Sequence, residues 1–411
     1  MQKKKEFSLR SIKALQWLNF FMADVRDGLG PYLAIFLLTS QHWNPAEIGV
    51  ALTVMGVATL IMQTPAGAFI DFTRHKCLTI ALASVVIAAA SIGVAFSHYF
   101  WSIVSFQALM GVASAFIGPA IAGITLGVVG PSYFSRQVGK NEAYNHLGNI
   151  FAALIAGGLG YFFSTGVVFY LTTFTALMAL VSMYFIKRED IDNQLARGFT
   201  KENNNNQPVS GFSILFKSKT LLLFTLSIFL FHFANAAMLP LLGQSLAGKD
   251  EHIATLFMSA SIIVAQLVMV PAAIFVGKKA NSWGRKKIFL IAFAVLPIRG
   301  LLYTFSDNPF YLVSVQMLDG VAAGIFGALF LIVIADLTEG TGRFNVTQGA
   351  VSTFMGIGAA LSSTVAGGIV VHKGYDVAFI TLAAIAAVAF LLFAFFVPET
   401  KNWADRRAAE Q

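Results

Sequence analysis

The sequence predicts an all-α membrane protein whose twelve transmembrane helices form two six-helix pseudo-repeats. Its 411 residues are 57% hydrophobic and 12% charged, with a mean hydropathy of +0.72. Soluble domains carry about 25% charged residues, so this composition excludes an ordinary soluble enzyme. In addition, the chain divides at charges and turn residues into twelve apolar segments, and its second half aligns with its first.

The twelve segments have the length and polarity of spanning helices, which need about 20 mostly apolar residues. They cover 12–38, 45–70, 76–97, 100–129, 141–163, 166–187, 218–246, 252–277, 285–305, 309–336, 344–371 and 375–397. The polar stretch after the sixth segment holds a run of Asn, which predicts a flexible linker. We therefore expect an N-terminal bundle over 1–187, a cytoplasmic linker over 188–217, and a C-terminal bundle with a short cytoplasmic tail over 218–411.

Positive charge is concentrated on one side of these segments. The formal net charge is +8, from 28 Lys and Arg against 20 Asp and Glu. With the N-terminus inside, only Lys249 and Lys373 fall in outer loops, and only Arg26 and Arg299 fall within helices. The positive-inside rule then predicts two cytoplasmic termini in the inner (plasma) membrane. Orientation in the lipid bilayer accounts for the charge, so no nucleic-acid partner is expected.

An internal repeat relates the two halves at a nearly constant offset. GAFIDFTRHK (67–76) aligns with GKKANSWGRK (277–286), QALMGVASAFIG (107–118) with QMLDGVAAGIFG (316–327), and AGGLGY (156–161) with AGGIVV (366–371). Gly-rich helices match each other easily by chance, so any single match is weak evidence of a repeat. Three matches in the same order are much stronger evidence. Transporters built from parallel repeats place their substrate site between the halves, near the bilayer midplane.

The first pair of segments resembles the loop motif GxxxDRxGRK of the major facilitator superfamily. The matching residues are Gly67, Asp71 and Lys76 in the first copy, and Gly277, Gly284, Arg285 and Lys286 in the second, where Asn281 replaces Asp. PETK (398–401), after the last helix, also recurs in this superfamily. The resemblance covers essentially the whole chain. It implies the family's twelve-helix fold and a secondary transporter that works as a monomer by alternating access.

These motif residues predict a cytoplasmic gate. A Gly allows close helix approach, and a carboxylate such as Asp71 can pair with loop cations or with the N-terminus of a facing helix. Such a latch would hold the outward-facing state. In the alternative interpretation, the basic residues only anchor the topology. The candidate gating residues are Gly67, Asp71, Arg74, Lys76, Gly277, Asn281, Gly284 and Arg285.

Ionisable residues in the first helix form the main candidate coupling site. A charge at the bilayer centre costs at least about 2.5 kcal/mol, so such residues indicate function. Asp24 lies roughly 16 Å beyond Lys13 along a helix, near mid-membrane, and Arg26 and Asp27 share its face. Two acids against one Arg leave one acid unmatched, which favours a titrating site. The alternative is a self-neutralising pair that only pins helices together.

The fifth helix carries a second group of polar residues. Asn141, Asn145 and Asn149 recur every four residues, with Glu142 and His146 beside them. The stripe predicts the lining of an inward-opening cavity, where His146 could relay protons or bind an acidic substrate. The alternative for His146 is a packing residue.

The second half contributes the remaining candidates. Asp319 is expected near mid-membrane and Arg299 in the outer half of the ninth helix, where they could pair with each other or with the acids of the first helix. His232 and Asn235 occupy the seventh helix, opposite the counterpart of Asp24. The candidate substrate and coupling residues are Asp24, Arg26, Asp27, Asn145, His146, Asn149, His232, Arg299 and Asp319.

The sequence therefore predicts a secondary active transporter of a small molecule, coupled to protons. Export of a drug-like or amphiphilic compound is favoured, although Gln107 stands where the superfamily's drug antiporters usually carry Arg. The alternatives are a carrier of an anionic metabolite, a siderophore or a metal ion and, more distantly, a membrane sensor. There is no GxxxxGK[ST], HExxH or GxSxG segment, and the only cysteine is Cys77. We therefore expect no ATP drive, no enzymatic activity, no cofactor and no resident metal.

Overall fold

The computed structural model of the chain describes residues 8–27, 33, 36–37, 41–43, 45–162, 166–199, 218–247 and 251–403. The regular elements in these ranges are helical, which confirms the predicted all-α class. The α-helices are α1 (Leu9–Asp27), α2 (Pro45–Phe72), α3 (Lys76–Phe96), α4 (Phe100–Phe162), α5 (Val167–Tyr184), α6 (Lys219–Asn235), α7 (Met238–Ala247), α8 (Glu251–Trp283), α9 (Arg285–Leu302), α10 (Pro309–Thr338), α11 (Phe344–Lys373) and α12 (Tyr375–Phe396).

Helix α4 contains two of the predicted spans. Gly130 breaks it, with φ 68° and ψ 172°, into α4a (100–129) and α4b (131–162). The second part begins ten residues before the predicted start at 141, because Gly130 tolerates a left-handed φ and Pro131 is favoured in the first helical turn. The polar stripe that begins at Asn141 therefore starts about three turns into α4b and not at its first residue.

The seventh predicted span is divided into two helices. Helix α6 ends at Asn235, and α7 begins at Met238. The Ala237 N–H donates to Ser362 Oγ of α11 at 3.1 Å. The break between α6 and α7 leaves backbone N–H groups without partners inside a helix. The Ser362 hydroxyl accepts from one of them, as is needed where a helix is interrupted within the membrane.

Eight helices among the described residues are long and apolar enough to cross a membrane, and one of these windows, Phe100–Ala156, includes both parts of α4. A shorter apolar helix covers Val168–Tyr184. These lengths agree with a multi-pass membrane protein. The cytoplasmic placement of both termini remains a prediction.

The chain forms two compact units. Unit 1 is Met1–Gly211 with Thr338–Gly349, and unit 2 is Phe212–Leu337 with Ala350–Gln411. Helix α11 is thus continuous from one unit into the other: its residues 344–349 belong to unit 1 and the remainder to unit 2. The boundaries predicted from sequence, at 187 and 218, remain predictions.

Close helix contacts inside each unit depend on glycine. A Cβ on Gly111 would collide with the Met55 carbonyl of α2, and one on Gly148 with the Phe20 carbonyl of α1. In unit 2, Gly320 of α10 lies in the same way against the Ala265 carbonyl of α8. Small residues at helix interfaces allow the backbone approach on which packing in lipid depends.

Candidate functional site

The first copy of the loop motif forms a cap on another helix. Asp71, fully buried at the end of α2, faces the first turn of α11. Its Oδ1 accepts from the Asn345 N–H at 3.1 Å and from Asn345 Nδ2 at 2.7 Å, and its Oδ2 accepts from the Val346 N–H at 2.8 Å. The first N–H groups of a helix lack partners within the helix, and a carboxylate there is stabilised by the helix dipole. Asp71 therefore caps α11 from a different part of the chain.

Gly67 makes this cap possible. It lies one turn before Asp71 on α2, and a Cβ at this position would collide with the backbone carbonyl of Asn345. Farther along α11, Gly349 lies against the Gln63 carbonyl of α2 in the same way. Two glycines on opposite helices thus bring α2 and the start of α11 into backbone contact.

The two basic residues of the first copy have different roles. Lys76 is buried, and its Nζ donates to the Thr73 carbonyl at 2.8 Å. Lys76 thus provides a donor for a carbonyl just beyond the C-terminus of α2 and stabilises the short loop between α2 and α3. Arg74 is exposed. Of the four gating residues predicted in this copy, Gly67 and Asp71 adjoin α11, Lys76 shapes the loop, and Arg74 lies at the surface.

Residues 187–199, which we call the linker segment, pack against the same place. They include two short 3-10 turns, Arg188–Asp190 and Leu195–Arg197. The Asp192 N–H donates to the Gly127 carbonyl of α4a at 3.1 Å, and the Ala196 carbonyl accepts from Asn345 Nδ2 at 3.0 Å. The linker predicted from sequence thus begins with a folded stretch, and its residues 200–217 lie outside the described chain.

The second copy of the motif forms an ion pair inside unit 2. Arg285 donates through Nε to Asp336 Oδ2 at 2.8 Å and through an Nη to Asp336 Oδ1 at 3.3 Å. Another Nη donates to Asn281 Oδ1 at 2.9 Å. Asn281, which replaces the motif carboxylate, therefore keeps its acceptor role without its charge. Asp336, on α10, was not predicted from sequence.

Glu399 caps the helix that follows this second copy. Its carboxylate accepts from the backbone N–H groups of Arg285 at 2.8 Å and Lys286 at 3.1 Å, the first two residues of α9. Gly284 precedes them with φ +91°, and a Cβ there would collide with the Glu399 carboxylate. The PETK segment, a family marker in the sequence, thus has a structural role at this helix start. Gly277, the remaining predicted residue, is buried near the end of α8.

Arg299 and Asp319 pair with each other, which is the first of the two pairings considered from sequence. The Arg299 side chain is 1% exposed and that of Asp319 16%. The Arg299 guanidinium also lies over the Tyr303 ring, 5.8 Å from its centroid. Tyr303, in turn, neighbours Gln316, three residues before Asp319 on α10.

Several buried polar atoms around this pair lack hydrogen bonds of ordinary geometry to other described residues. They are Arg299 Nε, Tyr303 Oη, and Gln316 Nε2 and Oε1. Unsatisfied buried polar groups cost free energy, so such a cluster is characteristic of a site that binds water or changes its pairing.

The predicted His232 lies in an aromatic environment on α6. Its ring meets Phe326 of α10 edge to face at 4.7 Å between centroids. Phe326 itself stacks on Phe231 at 5.1 Å. Phe326 follows Asp319 by seven residues, a spacing that places both on one face of α10. Within unit 2, His232 and Asp319 thus approach the same side of α10.

The remaining candidates are only partly located. Asn145 and His146 are buried in α4b, and Asn149 is partly exposed. Asn141, from the same stripe, donates to Thr125 Oγ1 of α4a at 3.0 Å and accepts from Gln137 at 2.7 Å, which joins the two parts of α4. The backbone of Asp24, Arg26 and Asp27 is helical in α1, but their side chains lie outside the described part of the structure.

Comparisons with known proteins assign the family. The profile of the Major Facilitator Superfamily matches residues 15–296 and 264–411. The uncharacterized MFS-type transporter Rv2456c of Mycobacterium tuberculosis (strain ATCC 25618 / H37Rv) is 48% identical over 392 residues, which cover 95% of this chain and 94% of the relative. The chain belongs to the major facilitator superfamily. It is thus a multi-pass secondary transporter from a family of non-enzymatic carriers.

More distant superfamily members share its fold. The MFS-type transporter YvkA of Bacillus subtilis (strain 168) is 30% identical over 204 residues, covering 46% of this chain and 42% of YvkA. The crystal structure of the human organic anion transporter MFSD10 matches with a TM-score of 0.70 at 15% identity, over 93% of this chain and 99% of that one. The proton:xylose symporter XylE matches with a TM-score of 0.69 at 14% identity, over 96% of each chain. These structural likenesses establish the fold alone.

Proposed function

We propose that this transporter is proton-coupled and that protons act on the Arg299–Asp319 pair. Burying two charges costs several kcal/mol each, and their attraction repays this cost only while both are charged. Protonation of Asp319 would leave Arg299, 1% exposed, without its counter-charge. The uptake or release of one proton therefore changes the free energy of this part of unit 2 by enough to drive a rearrangement. This buried pair is the observation that carries the proposal.

The surroundings of the pair support this role. Tyr303 and Gln316 interact with each other, and by strict geometry their polar atoms have no other hydrogen-bond partner among the described residues. They offer alternative partners to Arg299 or Asp319 when the ion pair opens. His232, which packs against Phe326 on the same side of α10, remains a candidate substrate residue. Asp24 and Asp27 of α1 remain the candidate proton carriers of unit 1.

The cap on α11 supports alternating access through a gate at Asp71. Residues 344–349 pack with unit 1, while the rest of the helix belongs to unit 2. Rocking of one unit against the other must release the first turn of α11 from Asp71 or bend the helix. Three hydrogen bonds to one carboxylate, broken and remade in each cycle, would serve as the latch.

For the cargo, we favour export of a drug-like or amphiphilic compound. Arg299, one of the two arginines predicted within helices, is already paired with Asp319, which weakens the case for an anionic metabolite or siderophore. Among the described residues, no group of three or more His, Cys, Asp or Glu is arranged to hold a metal ion. A thermal-shift panel of amphiphilic drugs, siderophores, organic acids and metal ions tests this choice. Selective stabilisation by an acid or a siderophore would reverse it.

Coupling is tested by Asp319→Asn in proteoliposomes with an imposed pH gradient, using a substrate from that panel. We expect gradient-driven accumulation to be lost while substrate exchange across the membrane continues. Asp376→Asn, an exposed carboxylate in the first turn of α12, is the matched control and should behave as the wild type. Asp24→Asn and Asp27→Asn test the first helix in the same assay. Undiminished accumulation in Asp319→Asn would contradict the coupling proposal.

A further inference from the structure

We propose that Asn345 is a positioning residue that ties the linker segment to the gate, so that part of this segment is released whenever the gate opens. This inference rests on the proposed gate at Asp71. Asn345 is fully buried, and its Nδ2 donates both to Asp71 Oδ1 at 2.7 Å and to the Ala196 carbonyl at 3.0 Å. One side-chain amide thus joins the motif carboxylate, the start of α11 and the linker segment.

The packing around this amide leaves little room for another arrangement. A Cβ on Gly123 of α4a would lie 3.0 Å from Asn345 Oδ1 and 3.2 Å from the Ala196 carbonyl. Gly67 lies against the Asn345 backbone from the opposite side. Because both neighbours are glycines, the amide fits between α2 and α4a in direct contact with backbone.

The linker segment is attached to two different parts of unit 1. Its beginning is held by α1 and α4a: Ser11 Oγ accepts from the Lys187 N–H at 3.1 Å, Ser11 donates to Asp190, and the Asp192 N–H reaches Gly127. Its end packs on α4a, where Ala196 and Leu195 lie against Gly127 and Gly130, and it is also held by the connection from α10 to α11. There the Gly198 carbonyl accepts from the Gly340 N–H at 2.6 Å, and Ala196 accepts from Asn345.

These two sets of contacts predict where the segment separates. If the start of α11 leaves Asp71, the hydrogen bonds to the Ala196 and Gly198 carbonyls are lost. Residues 193–199 then keep only their packing on α4a, whereas residues 187–192 keep hydrogen bonds to α1 and α4a. Residues 193–199 then join the chain that connects the two units and add roughly 23 Å of extended reach at about 3.3 Å per residue.

Hydrogen exchange of the full-length transporter in proteoliposomes, resolved by peptide, tests this inference. Asn345→Ala removes both side-chain bonds but keeps the backbone N–H groups that Asp71 caps. We expect exchange over 194–199 to rise about tenfold or more, while 187–192 stays protected. Asn345→Leu is close in size but has no side-chain N–H and adds no charge beside Asp71, so it should release the segment as well. Gln348→Ala, another buried amide one turn along α11, is the matched control and should leave both stretches unchanged.

The cysteine of the chain provides an independent readout. The thiol of Cys77 lies near Arg188, in the part of the segment that should stay attached, so its alkylation rate should not change in Asn345→Ala. In the wild type, an imposed pH gradient should raise exchange over 194–199 together with that over 344–349. Unchanged exchange over 194–199 in Asn345→Ala or Asn345→Leu, or a rise that begins at 187, would overturn the inference. Protection of 344–349 that survives in Asp71→Ala would instead refute the gate itself.

Discussion

The two copies of the loop motif make different contacts. In unit 1 the motif keeps its carboxylate, Asp71, which caps the first turn of α11, a helix that continues into unit 2. In unit 2 the motif keeps its arginine, Arg285, which pairs with Asp336. The N-terminus of α9 is capped by Glu399 from the end of the same unit. Under the proposed gate, the first copy holds a contact that transport would release, and the second holds one that would stay in place.

Removal of Asp336, the acid that pairs with Arg285 of the second copy, should have the largest effect on stability. Asp336→Ala leaves the Arg285 guanidinium, part of a largely buried pair, without its counter-charge, which costs about 3 kcal/mol. We expect a clear fall in the unfolding temperature of the purified protein and little change in hydrogen exchange over 344–349. If Asp336→Ala instead reduced the protection of 344–349 against hydrogen exchange as much as an Asp71 variant does, the two copies would not have the different roles that we assign to them.

Removal of the acid in the first copy should affect gating more than stability. Asp71→Ala leaves the Asn345 and Val346 N–H groups uncapped, a loss of about 1–2 kcal/mol, or roughly five- to thirtyfold in the population of the capped state. We expect exchange over 344–349 to rise by this factor and net transport to fall. Asp71→Asn, which retains an acceptor, should show a smaller change. A wild-type transport rate in Asp71→Ala would contradict a latch at this position.

Neutralising the cap in the second unit should have a smaller effect. Glu399→Gln keeps an acceptor for the Arg285 and Lys286 N–H groups but loses the interaction of a charge with the helix dipole, worth about 0.3–1 kcal/mol. Its unfolding temperature should fall slightly, and its transport should be unchanged at saturating substrate. A transport defect larger than that of Asp71→Asn would reverse the roles that we assign to the two caps.

The smallest effect is expected for the exposed arginine of the first copy. Arg74→Ala removes a side chain at the surface, away from the cap on α11. Transport and exchange over 344–349 should match the wild type, whereas Lys76→Ala, which removes the bond to Thr73, should destabilise the loop. A gating defect in Arg74→Ala would show that the surface cation belongs to the latch.

Sequence reasoning located the helices well because hydrophobic length and turn residues are local signals. It placed the second part of α4 ten residues late, since the polar stripe outweighed the signal of Gly130 and Pro131. The role of Asp71 at a helix N-terminus could be anticipated from the motif chemistry, although not which helix it caps. Asp336 and Glu399 were missed because they contact Arg285 from 51 and 114 residues away. Nothing in a single sequence indicates such long-range pairings.

The most direct test compares the two capped helix starts in the same molecule. Hydrogen exchange of the wild-type protein in proteoliposomes, with and without an imposed pH gradient, would be followed at the amides of Asn345 and Val346 and at those of Arg285 and Lys286. The account predicts that the gradient raises exchange at the first pair, which Asp71 caps, and leaves the second pair, which Glu399 caps, protected. Equal responses at the two helix starts, or a rise confined to Arg285 and Lys286, would contradict it.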